Sequence, residues 1–235
     1  MKESYWNNFY KNKEVGGILS PSSFAVYTKN FISTNPKNAI EFGCGNGRDS
    51  FFLEQVCQNY TAIDSSKITI DQLSESSETK INFVQKSVSN INDFENNYDL
   101  IYSRFFLHSI DKKLEEIFLK WCSDANTGTL FFLECRSEKD YDLYKVFGKD
   151  HYRRKVSFNS LKNKLIKNGF KILESIESRG LAAYKAEDPW IIRIAAIKEL
   201  GELHQWTTKK TNTYDLKPEI DRLNQLIKNK EIILK

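Results

Sequence analysis

Long apolar runs are missing from this sequence: no stretch approaches the about 18 apolar residues of a membrane span. The opening "MKESYWNNFYKNK" mixes charge with aromatics and has no apolar region of the secretory kind. Cysteines are few and isolated. Cys44, Cys57, Cys122 and Cys135 form no CxxC pair and only three histidines accompany them, which argues against a zinc site and for buried free thiols. These absences predict a soluble protein of the reducing cytoplasm, without a metal. Net charge is scarce too, 35 Lys and Arg against 31 Asp and Glu, and the resulting +4 demands neither nucleic acid nor membrane as a partner. No internal repeat or low-complexity tract is evident.

What is present is an alternation. Short apolar runs at 38–43, 60–64, 81–85, 98–103 and 128–135 read as strands, rich in Ile, Val and aromatics. Between them "RDSFFLEQVCQ", "SKITIDQLSESS" and "DKKLEEIFLKWCSDA" have helical length, the last with Leu114, Ile117, Phe118 and Trp121 at helical spacing. Such an order predicts one α/β domain with a parallel sheet covered on both faces. After residue 136 the pattern changes: "FNSLKNKLIKNGF" (158–170) reads as an amphipathic helix stopped by Gly169. Two late strands, 170–180 and 190–198, have no helix between them and are therefore expected to pair antiparallel. Ile220, Leu223 and Ile227 give the tail an amphipathic helix that suits docking on its own domain or a homodimer contact equally well.

The segment "IEFGCGNGRD" (40–49) is a glycine-rich turn leaving the first strand, the place where backbone N–H groups hold nucleotide-like ligands. A phosphate loop needs GxxxxGK[ST], and no such Lys follows these glycines. A dinucleotide turn needs GxGxxG, but Arg48 stands where the third glycine belongs. The remaining candidate is an adenosyl ligand without pyrophosphate, with Glu41 as an acid facing a positive centre.

With Glu41, Gly43, Gly45 and Gly47 in the form (D/E)xGxGxG, the chain resembles the class I S-adenosylmethionine-dependent methyltransferases over residues 38–136, more loosely to 198. The resemblance implies an α/β, Rossmann-like, seven-stranded and mostly parallel sheet with helices on both faces and the last strand antiparallel, in agreement with the late strands at 170–180 and 190–198. It implies S-adenosyl-L-methionine as cofactor, its methionine part and ribose lined by Glu41, Gly43, Cys44, Gly45 and Gly47. Asp64, followed by Ser65, matches the acid that takes both ribose hydroxyls, although a helix N-cap is its bland alternative. The third motif, "FVQKSV", departs from the family by offering Ser87 and the N–H of Val88 to adenine instead of Asp. Arg48 is placed to meet the cofactor carboxylate, Ser103 and Arg104 border the cofactor, and Tyr5, Trp6 and Tyr10 form an aromatic lid.

For the acceptor, His108 or His151 would serve as base for an alcohol, with Tyr152 orienting it; the alternative for His108 is a satisfied histidine supporting its loop. Arg104, Arg153, Arg154 and Lys185 would clamp an anion, and the alternative for Arg153 and Arg154 is a solvated basic run. The chain has neither (D/N)PP(Y/F) nor a Pro-Cys pair, which turns the reading away from nucleic-acid methylation. "YWNNFYKN", "PSSFA" and "YKAEDPWIIRIAAIK" resemble methyltransferases of bacterial surface-polysaccharide clusters, which implies a sugar or phosphate-bearing acceptor; an uncharged small metabolite and a non-catalytic cofactor-binding subunit are the rivals. The expected layout is a lid at 1–30, the methyltransferase domain at 31–200 with a substrate-side insertion at 137–157, and a helical tail at 201–235.

Overall fold

The computed structural model describes residues 3–11, 20–75, 79–140, 153–184 and 187–199. Seven strands form one sheet in the order β3-β2-β1-β4-β5-β7-β6. They are β1 (Asn38–Phe42), β2 (Asn59–Asp64), β3 (Ile81–Gln85), β4 (Leu100–Arg104), β5 (Leu130–Arg136), β6 (Phe170–Ser178) and β7 (Ile191–Lys198). The first five run parallel, and β7 lies antiparallel between β5 and β6, as the sequence predicts. Central strands are covered on both faces, which is why β5 reads as an almost unbroken apolar run, "LFFLECR".

Helices α2 (Ser23–Phe31), α3 (Ser50–Leu53) and α4 (Lys67–Glu75) cover one face, burying Phe24, Leu53, Ile70 and Leu73 against Ala39, Tyr102 and Phe132. On the other face α5 (Lys112–Ser123) and α6 (Phe158–Lys167) bury Phe118, Trp121, Leu161 and Leu165 against Phe42, Ile101 and Phe131. Asp111 starts α5 by accepting the Leu114 N–H at 2.9 Å, so the helix enters with Phe118 turned onto Phe42, 4.8 Å between ring centroids. Each such buried aromatic stabilises the fold by about 1.5–3 kcal/mol.

Two elements differ from the sequence reading. The expected helix at 48–58 is a single turn, α3, followed by a 3-10 turn at Glu54–Val56. The chain must already be extended at Gln58, whose N–H bonds to Pro36 O and leads into β2. Conversely, residues 23–31 are not part of a lid. Ser22 caps α2 by accepting the Ala25 N–H, and Phe24 and Ala25 are fully buried in the domain core.

Strand order reverses between β1 and β4, and the space outside the carboxyl ends of strands at such a switch point is where open α/β sheets bind ligands. Among the described residues no helix is long and apolar enough to cross a membrane, and no group of three His, Cys, Asp or Glu is placed to hold a metal ion. The expected tail helix and most of the insertion, 141–152, lie outside the described residues.

Candidate active site

The glycine turn closes over the end of β2. Gly43 and Cys44 both donate their N–H groups to Ile63 O, at 2.8 and 3.1 Å, and Gly47 N–H closes a turn on Cys44 O at 3.0 Å. Gly45 and Gly47 have φ of +54° and +78°, a left-handed backbone that a side chain would strain. Asp64 ties this turn to the next strand, its Oδ2 accepting Gly45 N–H at 3.0 Å and its Oδ1 accepting Ser66 N–H at 2.9 Å. Burial raises the Asp64 pKa, while the N–H groups of Ser66, Gly45 and Ser65 pull it down without cancelling the shift. Asp64 thus braces its own turn, and the helix cap that was its bland alternative falls to Ser66, whose Oγ accepts the Thr69 N–H at 3.3 Å ahead of α4. Two carboxylate oxygens have lone pairs beyond those bonds, so the same group can also take two hydroxyls.

Helix α1 (Glu3–Tyr10) lies across this turn. Asn7 accepts the Ser66 hydroxyl at 2.8 Å, and the Tyr10 hydroxyl sits only 2.5 Å from where a Cβ on Gly45 would stand. Tyr5, Trp6, Phe9 and Tyr10 pack on one another, with Trp6 and Tyr10 stacked 5.8 Å apart. Burial, then the charge of Asp64, raises the Tyr10 pKa, and Arg104 opposes the shift.

Behind the turn runs a lattice of buried charge that the sequence reading missed. Arg104, Glu134 and Arg193 stand at paired positions on β4, β5 and β7. Glu134 is fully buried and accepts Arg104 Nε at 2.9 Å on one oxygen and Arg193 Nε at 2.5 Å on the other. Arg193 continues to Ser23 Oγ at 2.6 Å and Leu181 O at 2.7 Å. Asp49 accepts Ser22 N–H, Ser22 Oγ and Tyr102 OH, and lies 3.9 Å from Arg104 Nε. Burial works against the charge of Arg104, but Glu134 and Asp49 outweigh it and its pKa is raised. Its guanidinium lies 4.2 Å over the Phe105 ring, and Phe105 holds φ at +55°. That conformation costs a non-glycine residue about 1–2 kcal/mol, at the carboxyl end of β4.

Residues 39–125 match the family model described as a methyltransferase domain. The chain carries a methyltransferase domain. S-adenosylmethionine is the cofactor of this enzyme. In fold the chain is similar to an S-adenosylmethionine-dependent methyltransferase from Anabaena variabilis, at 18% identity over 84% of this chain and 93% of that one, with a TM-score of 0.65. It is similar to an N-methyltransferase from Bradyrhizobium japonicum, at 15% identity over 75% and 94%, TM-score 0.57. A third structure, described by the conversion of a disulfide bond into a thioacetal group during echinomycin biosynthesis, aligns over 97% and 99% at 13% identity, TM-score 0.68. No curated protein matches in sequence.

The cofactor's fit to this methyltransferase rests on its own atoms. The glycine cradle and Asp64 offer hydrogen-bonding groups in one crevice, and Ser103, fully buried at the end of β4 beside Phe42, has a hydroxyl with no hydrogen-bond partner among the described residues. Ser87 caps the 3-10 turn Val88–Asp93 by accepting Ser89 N–H at 3.3 Å, and the Val88 side chain is buried in the core. Cys44 is buried within the turn, its thiol pKa raised by burial and by Asp64.

Several expected roles are corrected. Glu41 turns away from any positive centre, buried and accepting Ser50 Oγ at 2.5 Å and Tyr60 OH at 3.1 Å. Arg48 donates its Nε to Ser20 O at 3.1 Å, a bond that does not contradict its expected role. His108 is buried, and its Nδ1 accepts the Arg136 N–H at 3.2 Å while its carbonyl accepts Arg154 N–H, so it supports the loop and that nitrogen is not available as a base. Arg154 pairs with buried Glu115 and donates its Nε to Leu107 O and Ile110 O, which makes it part of the frame and not an acceptor clamp. For Arg153 burial, then the charge of Arg136, lowers its pKa, against Glu187, Tyr5 and Asp140. His151, Tyr152 and Lys185 lie outside the described residues.

Proposed function

We propose that this methyltransferase transfers the methyl group to an oxygen of a sugar or phosphate-bearing sugar, or a phosphoramidate of one, in surface-polysaccharide biosynthesis. Bound S-adenosylmethionine supplies an electrophilic methyl group on a sulfonium, and the chain's part is to orient, to exclude water and to hold the acceptor. Asp64 takes the ribose hydroxyls, the glycine turn receives the methionyl part, and Ser87 with the Val88 N–H faces the adenine. The aromatic face of α1, with Tyr5, Trp6 and Tyr10, keeps water from the crevice.

The observation that carries the acceptor reading is Arg153. It is partly buried, and burial and the like charge of Arg136 lower its pKa even against the favourable charges of Glu187, Tyr5 of the lid and Asp140. An anion beside it relieves both penalties. An anionic phosphate oxygen also needs no base, in keeping with a His108 Nδ1 that is already occupied. The test is transfer of labelled methyl to phosphorylated sugars, unphosphorylated sugars and amines. The reading expects label on a phosphorylated sugar, with Arg153→Gln raising KM roughly tenfold or more and leaving cofactor Kd unchanged. Label confined to amines overturns it, and label confined to uncharged sugars, with an unaltered KM in the variant, overturns the anion-holding role of Arg153.

A further inference from the structure

Arg104 follows Ser103 at the end of β4, and Ser103 is paired with Phe42, so Arg104 stands beside the first glycine of the turn. Its Nε is committed to Glu134, a carboxylate with no exposure at all, and its guanidinium is braced against the Phe105 ring. The side chain nevertheless retains 19% exposure, and its charge is felt by the Tyr10 hydroxyl that lies over Gly45. A guanidinium has five donors; with Nε spent, the Nη groups remain to form a charge-assisted pair. By contrast, Arg48 is 35% exposed and its Nε is held by the carbonyl of Ser20.

Resting on the reading that the donor's methionyl part lies on the glycine turn, we infer that Arg104 receives the donor's amino-acid carboxylate and that Glu134 is the positioning residue that aims it. Arg193 shares Glu134 and keeps its carboxylate fixed between two guanidinium groups, so Arg104 is held before the ligand arrives. This arrangement spends little ordering entropy on binding.

Calorimetry with S-adenosylmethionine and with decarboxylated S-adenosylmethionine tests it. Wild type should prefer the carboxylated donor roughly tenfold or more. Arg104→Gln should lose most of that preference, Arg104→Lys should keep part of it, and Arg48→Gln should keep it whole. Glu134→Gln should lower the preference ratio, a readout that mere loss of stability does not move. If that variant fails to fold, the wild-type ratio and the Arg104 variants still decide. Equal affinity of wild type for both donors overturns the inference alone, as does a preference that survives Arg104→Gln and vanishes with Arg48→Gln. Failure of both donors to bind overturns the underlying reading of the crevice.

Discussion

Gly47 and Gly180 share a φ of +78°, yet their surroundings are opposite, and the pair separates backbone strain from packing. An added Cβ at Gly180 meets nothing within 4 Å. At Gly47 it stands 2.7 Å from Leu73 Cδ2 and 3.1 Å from Phe51 Cε2. Leu73 is fully buried against the sheet and has no free volume into which to retreat. Both alanine variants therefore carry the left-handed penalty of about 1–2 kcal/mol. Gly47→Ala adds overpacking of about 1–3 kcal/mol, for a total of about 2–5 kcal/mol. Urea unfolding followed by tryptophan fluorescence reads the two values directly, provided the slopes agree. Leu73→Ala removes the nearer clashing atom, so adding Gly47→Ala to it should cost less than in the parent, with the backbone share and the Phe51 contact remaining, a coupling visible in a double-mutant cycle. Equal losses for Gly47→Ala and Gly180→Ala, or no coupling to Leu73, would refute the packing argument.

Burial first, then the Asp49 charge, raises the Glu41 pKa from 4.5 to about 8. Between those values the folded chain keeps a proton the unfolded chain has lost, so stability falls as pH rises through the window, by at most about 1.4 kcal/mol per unit, and levels off above it. Glu41→Gln should flatten that part of the profile; identical slopes in both proteins contradict it. Arg154→Ala leaves Glu115 buried with Lys164 as its remaining cation, and should cost up to about 3–5 kcal/mol without changing acceptor KM. A raised KM with unchanged stability would restore the acceptor role denied it above. Asp64→Asn should weaken S-adenosylhomocysteine binding roughly tenfold or more, and calorimetry that finds an unchanged Kd removes Asp64 from the site. Tyr10→Ala clears the space over Gly45 and should speed association of S-adenosylhomocysteine in stopped-flow fluorescence, whereas an unchanged rate shows that the ring is no obstacle.

Local pattern was enough for much of this protein. Apolar runs and glycine breaks located all seven strands, and the late pair at 170–178 and 191–198 had to be antiparallel because no helix separates them. The glycine turn and Asp64 were legible for the same reason, since each depends on residues a few positions away. The buried charges were not. Asp49, Arg104, Glu134 and Arg193 meet only because strand order puts β5 between β4 and β7, across 59 residues from Glu134 to Arg193. Read along the chain, Glu134 is merely an acid in an apolar run, and Arg154 one basic residue among three. Whether a charge faces a ligand or a buried counter-charge depends on what the fold brings opposite it. Sequence alone therefore determined the sheet and the turn, which follow from backbone propensity and periodicity, and its resemblance to a methyltransferase family implied the cofactor; tertiary structure decided which arginines meet a buried counter-charge, because ion pairing is set by distance in space.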